Sequence, residues 1–567
     1  MQRQRRRQKN TYWKQGDMKE KSASGRFLRE LLAAWETEVS GSSLPAPPKY
    51  DGPDIWISHL TEKSSEVTPG ACFVARVRAT SDGHPYIPQA VNNGASVILA
   101  QKPIENIAAH LPDGIIYLKV PDTSLASAWF AAAWEGFPSR ELVVIGITGT
   151  DGKTSTANIL LEMLLSAGIR TGLLSTTRAV IGIEEEPLAL HVTTPEAPVI
   201  QRHLRRMVDA GLTHCILETT SHGLSQNRVG AIDFDVAVVT NVTHEHLDYH
   251  GDYNSYLSAK ARLFEAISGS LWPVASSNPA KQSQLKTAVL NQDDGSYNRL
   301  SDIGAARQIS YAIYSAADIK ADEISYGHSH TDFMMQFGDR LSTEGPAQVF
   351  MSSPLIGEFN VYNSLAATGA ALAVGAGVDA IREGLKHIDS IDGRMEQIDR
   401  GQPFTVIVDF AHTPNALTQA IEAAQTMTTG RVITVFGSAG KRDVEKRTKM
   451  AQISTRYADL TIFTAEDPRT DSLEEILQVM ATGSLGDGGI EGQTFWRVPD
   501  RGKAIYFALS LAESGDLVLI CGKGHEQSMC FGVVEYPWDD RQATERALDA
   551  LANNEPMPDL GLPTFKD

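Results

Sequence analysis

The sequence predicts an α/β protein of three domains. Short apolar runs rich in Val and Ile recur along the chain. Many of them are followed by a polar, often glycine-bearing cluster and then by a run with helical spacing. At 567 residues the chain is also too long for one hydrophobic core. The ranges read as 1–23, a basic tail; 24–137, a small α/β domain; 138–392, a central α/β domain; and 393–567, a doubly wound domain.

Composition narrows the class. Hydrophobic residues make up 42% and charged residues 21%, as in soluble globular proteins. The net charge of −18 argues against a nucleic-acid binder, although local Lys, Arg or Mg²⁺ can still serve anionic substrates. Cys72, Cys215, Cys521 and Cys530 are scattered without metal-ligand spacing, which suits reduced thiols and a cytoplasmic location. No apolar run approaches the ~20 residues of a membrane span. The basic start lacks the apolar segment of a signal peptide.

Within the tail, Arg3, Arg5, Arg6, Arg7 and Lys9 stand among almost no apolar residues, and disorder is expected. Phe27, Leu28, Leu31, Leu32 and Trp35 have helical spacing. Leu44 to Lys49 is a proline-rich loop. The runs Ala71 to Val77, Ser96 to Ala100 and Gly114 to Val120 read as strands, and Pro138 marks the next boundary.

The central domain opens with a strand, Leu142 to Ile147, a glycine-rich turn, Thr148 to Gly152, and a helix over Ala157 to Ala167. Strand, turn and helix N-terminus together make a phosphate cradle. Gly149 and Gly152 let backbone N–H groups approach an anion where a Cβ would clash, and Thr150, Asp151 and Ser155 complete the loop. Lys153 supplies a point charge for the outer phosphates and Thr154 a hydroxyl for Mg²⁺. The spacing departs from the usual motif, because Ile147 stands where another glycine belongs. A glycine-rich loop without a ligand is the bland alternative.

Two further strands, Thr213 to Leu217 and Phe234 to Val239, exit into Glu218 to Gly223 and Thr240 to His250. In open α/β sheets ligands gather at such carboxyl ends, so both exits should lie near the phosphate loop. His244, Glu245, His246 and Asp248 could hold a metal or form an ordinary polar loop. Lys260 lies in a helical run with Leu257, Ala261 and Phe264, where a lysine ordinarily snorkels from the apolar face. In the last domain, strands Thr405 to Asp409, Val432 to Phe436, Leu460 to Thr464 and Leu517 to Cys521 exit into Asp409 to Asn415, Gly437 to Asp443, Glu466 to Arg469 and Gly522 to Glu526. Four polar exits on one edge suggest a second ligand surface.

These motifs, in this order, resemble the Mur ligases: Thr148 to Ser155, Thr193 to Glu196, Glu218 to Arg228, Asn241 to Gly251, Ala259 to Phe264, Asn360 to Asn363, Gly393 to Glu396, Asp409 to Pro414 and Gly522 to Glu526. The resemblance spans about residues 50 to 550. It is closest to the members that join a diamino acid to UDP-N-acetylmuramoyl-L-alanyl-D-glutamate in peptidoglycan synthesis. It implies three α/β domains, the central one of the P-loop type that binds ATP and the last Rossmann-like. It also implies ATP-dependent amide formation through an acyl phosphate, small-molecule substrates, a monomer and no nucleic-acid partner.

The same resemblance implies that Lys153 faces the transferring phosphoryl group, that Thr154 and Glu218 serve one Mg²⁺ and that His246 serves a second. Lys260 would be carbamylated, which turns a cation into a carboxylate able to hold Mg²⁺. Asn291 and Asp294 would lie near the adenine, with Arg394 and Asp409 near the nucleotide. Ser64, Thr193, Thr194, Thr220, Gln226 and Arg228 would hold the muramoyl-peptide. Arg442, Glu466, Asp467, Pro468, Arg469, Gly522 and Glu526 would hold the diamino acid. A bidentate Arg469 favours the distal carboxylate of meso-diaminopimelate, whereas an acid at Asp467 favours the cationic tail of lysine or ornithine.

Departures concentrate in the first domain. Lys63-Ser64-Ser65 replaces the family's Asp-Ser-Arg, and Arg78 stands where glycine is usual ahead of Asp82-Gly83. They leave open a ligase for another acid, of the folylpolyglutamate synthetase kind, or a non-catalytic paralogue. Intact Lys153, Glu218, His246 and Lys260 weigh against the paralogue.

Overall fold

Continuous apolar runs become fully buried parallel strands, because both faces of such a sheet are covered. The computed structural model describes residues 25–565 apart from 79–80, 108–110, 189–192, 244, 246, 270–271, 273–275, 328, 343–346, 389 and 442–443. The expected tail, His244, His246 and Arg442 therefore lie outside the described residues. The chain separates into two compact units. One comprises residues up to Val242, 254–310 and 366–380, and the other comprises 243–253, 311–365 and 381 onward.

In the first unit, helix α1 (Leu28–Val39) buries Leu28, Leu31, Leu32 and Trp35, the stripe its spacing predicts. Phe27 is not part of that stripe; it caps the helix and is exposed. A parallel sheet follows, β1 (Leu60–Thr61), β2 (Cys72–Val74), β3 (Val97–Ala100) and β4 (Ile116–Lys119), paired in that order. Helix α2 (Thr123–Trp134) starts at Asp122, whose carboxylate accepts hydrogen bonds from Ser124 N and Leu125 N. Trp35 stacks on Trp129 of this helix with ring centroids 5.7 Å apart, in a core shared with Phe130 and Phe137.

The central sheet is built from β5 (Val143–Thr148), β6 (Thr171–Leu174), β7 (Arg178–Ile181), β8 (Glu184–Pro187), β9 (His214–Glu218), β10 (Val236–Val239) and β11 (Thr287–Asn291). These seven strands are neighbours in the order β8-β7-β6-β9-β5-β10-β11, and the strand Arg307–Ala312 follows β11. β9 and β10 flank β5 in parallel register, with Glu218 beside Ile147 and Val239 beside Thr148. The strand carrying the glycine-rich turn is thus the switch point of the sheet, where connections leave in both directions and a crevice opens. Helix α3 (Lys153–Ser166) begins at Lys153, four residues before the expected apolar run. Helix α4 (Ala197–Asp209) precedes β9, and helix α5 (Tyr253–Glu265) carries Lys260.

The second unit holds an antiparallel meander, β12 (Ile319–Tyr326), β13 (Thr331–Phe337) and β14 (Gln348–Ser353). It also holds a six-stranded sheet. Its strands are β15 (Glu396–Gln397), β16 (Thr405–Asp409), β17 (Val432–Phe436), β18 (Leu460–Phe463), β19 (Phe495–Arg497) and β20 (Leu517–Cys521), in the order β15-β16-β20-β17-β18-β19. All but β15 are parallel. β20 lies between β16 and β17, which brings the exits at Asp409, Gly437 and Gly522 to one edge beside that at Glu466. Among the described residues no helix is long and apolar enough to cross a membrane.

Candidate active site

The turn after β5 requires glycine at position 149. Its φ is +153°, and a Cβ there would stand 1.8 Å from Thr240 Oγ1. The exit of β10 braces the turn. Thr150 N donates to Asn241 O at 2.8 Å, Asp151 N to Asn241 Oδ1 at 3.0 Å, and Thr240 Oγ1 to Asp151 O at 2.6 Å. Lys153 Nζ folds back onto the turn and donates to Gly149 O at 3.0 Å and Thr150 O at 2.7 Å. Ser155 is buried one residue beyond Thr154.

At the end of β9 the Glu218 carboxylate is wholly buried. Its Oε2 accepts from Thr154 Oγ1 at 3.1 Å and Thr176 Oγ1 at 3.0 Å, and its Oε1 accepts from Thr176 N at 3.2 Å. One carboxylate with two hydroxyl oxygens is the hard-oxygen donor set that Mg²⁺ takes alongside substrate phosphates, so these residues fit that ion. Among the described residues no three His, Cys, Asp or Glu side chains converge. Thr176 was not expected from the sequence; its signal was the hydroxyl run Ser175 to Thr177 at the exit of β6.

Lys260 does not snorkel. It is 1% exposed, with Nζ 2.6 Å from Gly149 O and 4.4 Å from the centre of the Tyr256 ring. Helix α5 turns this face onto the phosphate loop, and Tyr256 OH lies 3.1 Å from Thr150 Oγ1. Asn291 Nδ2 donates to Thr240 O at 2.8 Å, and Asp294 accepts from Val242 N at 3.1 Å. Both therefore support the β10 exit in this structure.

The exit of β9 continues into a polar chain. Thr194 Oγ1 donates to Glu218 O at 3.0 Å and accepts from Thr220 N at 2.9 Å. Thr220 Oγ1 in turn accepts from Gly223 N at 3.0 Å, capping the short helix after it. Arg228 Nη1 donates to Thr194 O at 2.6 Å and its Nη2 to Gln226 Oε1 at 2.8 Å. Thr193, half-buried, precedes this chain. Ser64 is engaged elsewhere, donating to Gln89 Oε1 at 2.8 Å.

The second unit carries the other expected groups. Asp409 accepts from Met395 N and Ala411 N, each at 2.7 Å, and Arg394 lies over the Phe410 ring at 4.6 Å. Glu466 is buried and its Oε2 has no hydrogen-bond partner among the described residues. Burial pushes its carboxyl up, and the opposing Lys446 does not offset this. Gly522 adopts φ +110°, and a Cβ there would lie 3.2 Å from Glu466 Oε2. Asp467 Oδ1 accepts from Lys523 Nζ at 3.0 Å and from Cys530 N at 2.9 Å. Lys523 also pairs with Glu526 at 2.5 Å. After Pro468, Arg469 takes φ +52° and donates its N–H to Cys530 O at 3.0 Å, while its buried Nε has no hydrogen-bond partner among the described residues. Arg501, unexpected from the sequence, is wholly buried. It donates to Asp540, Ala465 O and Cys521 O, tying the exits of β18 and β20 together.

A cradle for phosphate at a switch point and a second polar edge on a Rossmann-like sheet define a nucleotide-dependent enzyme of two ligand surfaces. The chain belongs to the Mur ligase family: residues 147–371 match the Mur ligase middle domain and residues 393–524 the Mur ligase glutamate ligase domain. It is 39% identical over 502 residues to the UDP-N-acetylmuramyl-tripeptide synthetase of Roseiflexus sp. (strain RS-1), across 87% of this chain and 95% of that protein. It is 38% identical over 508 residues to the UDP-N-acetylmuramoyl-L-alanyl-D-glutamate--2,6-diaminopimelate ligase of Geobacillus thermodenitrificans (strain NG80-2), across 89% and 98%. A solved structure of a UDP-N-acetylmuramoyl-L-alanyl-D-glutamate--2,6-diaminopimelate ligase is similar with a TM-score of 0.58 and 28% identity, covering 89% of this chain and 98% of that one.

Proposed function

We propose that this Mur ligase is a cytoplasmic, monomeric, ATP-dependent tripeptide synthetase. It joins a diamino acid, meso-diaminopimelate first, to UDP-N-acetylmuramoyl-L-alanyl-D-glutamate during peptidoglycan synthesis. The observation that carries the reading is the near-full-length identity to synthetases of that name, with Lys153, Thr154, Glu218 and Arg469 all present. That identity also weighs against a ligase for an unrelated acid and against a non-catalytic paralogue.

The reacting carboxylate takes the γ-phosphoryl group of ATP, giving ADP and an acyl phosphate. The diamino acid's amine attacks the acyl carbon, phosphate leaves, and the amine's proton is lost. Residues 24–137 serve the UDP end with Ser64, 138–392 serve ATP, and 393–567 serve the diamino acid. The Gly149–Ser155 turn presents N–H groups to the phosphates, while Lys153 exchanges the carbonyls of Gly149 and Thr150 for a phosphoryl oxygen. Thr154 and Glu218 would hold one Mg²⁺, His246 would serve a second, and Lys260, once carbamylated, would offer oxygens to Mg²⁺. Bound there, Mg²⁺ offsets the charge of the triphosphate beside an anionic acid. The family resemblance assigns Asn291 and Asp294 to the adenine, and Arg394 and Asp409 to the nucleotide. Thr193, Thr194, Thr220, Gln226 and Arg228 hold the muramoyl-peptide. Arg442, Glu466, Asp467, Pro468, Arg469, Gly522 and Glu526 hold the diamino acid. Phosphate release with the UDP-muramoyl-dipeptide and each diamino acid in turn tests the assignment. Turnover with none of them overturns it.

A further inference from the structure

Glu62 and Glu196 gather three arginines within the first unit. Arg76, 6% exposed, donates through Nη1 to Glu62 at 2.7 Å and to Glu196, through Nε to Ser124 Oγ at 3.1 Å and through Nη2 to Gln226 O at 3.3 Å. Glu62 also accepts from Ser127 Oγ at 2.6 Å. Arg228 Nη2 lies 3.4 Å from Glu196 Oε1. Arg78 Nη2 lies 3.1 Å from Glu196 Oε1 and 3.5 Å from Glu62 Oε2. Burial raises the Glu196 carboxyl, but Arg76 and Arg228 outweigh it and hold it below the usual range.

Three guanidiniums against two carboxylates leave one positive charge uncompensated within this cluster. The geometry places that surplus on Arg78. Arg76 and Arg228 are buried, with side chains 5% and 8% exposed, whereas the Arg78 side chain is 37% exposed. Arg78 engages its partners through Nη2 alone, so its Nε and Nη1 donors face no partner among the described residues. The cluster is also continuous with the phosphate loop. Thr154 meets Glu218, Glu218 O meets Thr194, Thr194 O meets Arg228, Arg228 meets Glu196, and Glu196 meets Arg78. This line of contacts links the phosphate loop to Arg78 within one unit.

We propose that Arg78 binds an anionic group of the acid substrate, either the diphosphate of its UDP group or the second carboxylate of its glutamyl residue. Arg76, buried beneath it, positions Glu196, and Glu196 in turn holds the Arg78 guanidinium with its free edge outward. The proposal rests on the tripeptide synthetase reading, and it makes Arg78 a determinant of KM rather than of the chemical step.

The test is steady-state kinetics of Arg78→Ala and Arg78→Lys with the UDP-muramoyl-dipeptide, together with competitive inhibition by UDP alone. Arg78→Ala should raise KM for the acid about tenfold, the loss expected for one charge-assisted hydrogen bond at a partly exposed site. It should leave kcat, KM for ATP and Tm near wild type, and Arg78→Lys should recover part of the loss. Equal weakening of UDP identifies the diphosphate as the partner. Unchanged UDP inhibition beside a raised KM identifies the carboxylate. A KM for the acid unchanged in Arg78→Ala overturns the proposal, as does a rise accompanied by an equal rise in KM for ATP. Absence of turnover in the wild type would instead refute the tripeptide synthetase reading.

Discussion

Replacing Lys260 separates two chemistries that look alike in the unmodified chain. As an ammonium, Lys260 would be a buried cation beside the phosphate loop, and arginine could substitute for its charge. As a carbamate, formed from the neutral amine and CO2 with loss of one proton, it would be an anion offering two oxygens. The carbamate nitrogen keeps one N–H, which suffices for the 2.6 Å contact to Gly149 O. The side chain is 1% exposed, so its charge acts where water screens little. Removing one preorganised electrostatic group from such a site costs roughly 10²–10³ in kcat. Lys260→Met conserves volume and limits the loss of packing. We expect Lys260→Met and Lys260→Arg to lose the same ~10²–10³ in kcat at nearly unchanged Tm. Lys260→Ala should regain activity with added formate or acetate, and the wild type should weaken in CO2-depleted buffer until bicarbonate is restored. Phosphate release reads all four. A Lys260→Arg enzyme with near-wild-type kcat, alongside a Lys260→Ala enzyme that carboxylates do not rescue, would show that Lys260 works as a cation.

Three other outcomes follow from the same geometry. Lys153→Ala should keep Tm within a few degrees and abolish turnover, since among the described residues Lys153 bonds just the carbonyls of its own turn; a folded variant with most of its activity refutes the phosphoryl role. Arg469→Ala should impair diaminopimelate use far more than lysine or ornithine use, and equal losses in competition assays would remove Arg469 from selection. Burial, helped by Lys281, pushes His214 down to about 4. A folded value below the unfolded one contributes stability that is full above pH ~6.5 and is lost as pH falls toward 4, roughly 3 kcal/mol in all. His214→Gln should therefore flatten the fall of Tm between pH 7 and 4, and an unchanged slope counts against it.

Legibility tracked how local each signal was. The strands Thr405–Asp409, Val432–Phe436 and Leu517–Cys521 were readable to the residue, because doubly covered parallel strands leave uninterrupted apolar runs. The start of α3 was missed because Lys153 to Thr156 are polar, although Thr154, Ser155 and Thr156 are buried against the phosphate turn. The hairpin β7–β8 was missed because Glu184 to Pro187 carry no apolar alternation. Lys260 read as a snorkelling side chain from its neighbours in sequence; only the packing of α5 on the Gly149 turn buries it. Ion clusters are least legible of all. Arg76 and Glu196 are 120 residues apart, and no period links them.

The choice of diamino acid turns on such a cluster. In sequence, Asp467 counts as an uncompensated negative charge that would repel a distal carboxylate. In the fold it is 3.0 Å from the ammonium of Lys523 and accepts the N–H of Cys530. Lys523 is 1% exposed, and both Asp467 and Glu526 keep it charged by outweighing its burial. Asp467 is thus bonded to a buried cation and a backbone donor, but Lys523 is shared with Glu526, so one of the two carboxylate charges is left uncompensated. Burial raises the Glu466 carboxyl, and its Oε2 has no hydrogen-bond partner among the described residues. Arg469, held at φ +52°, has no partner for its buried Nε among the described residues. An arginine that no carboxylate among the described residues pairs with is the group that a second carboxylate on the amino acid would meet. The pairing of Asp467 with Lys523 therefore weakens the sequence argument for lysine or ornithine, and Arg469 is the group at this exit that favours meso-diaminopimelate.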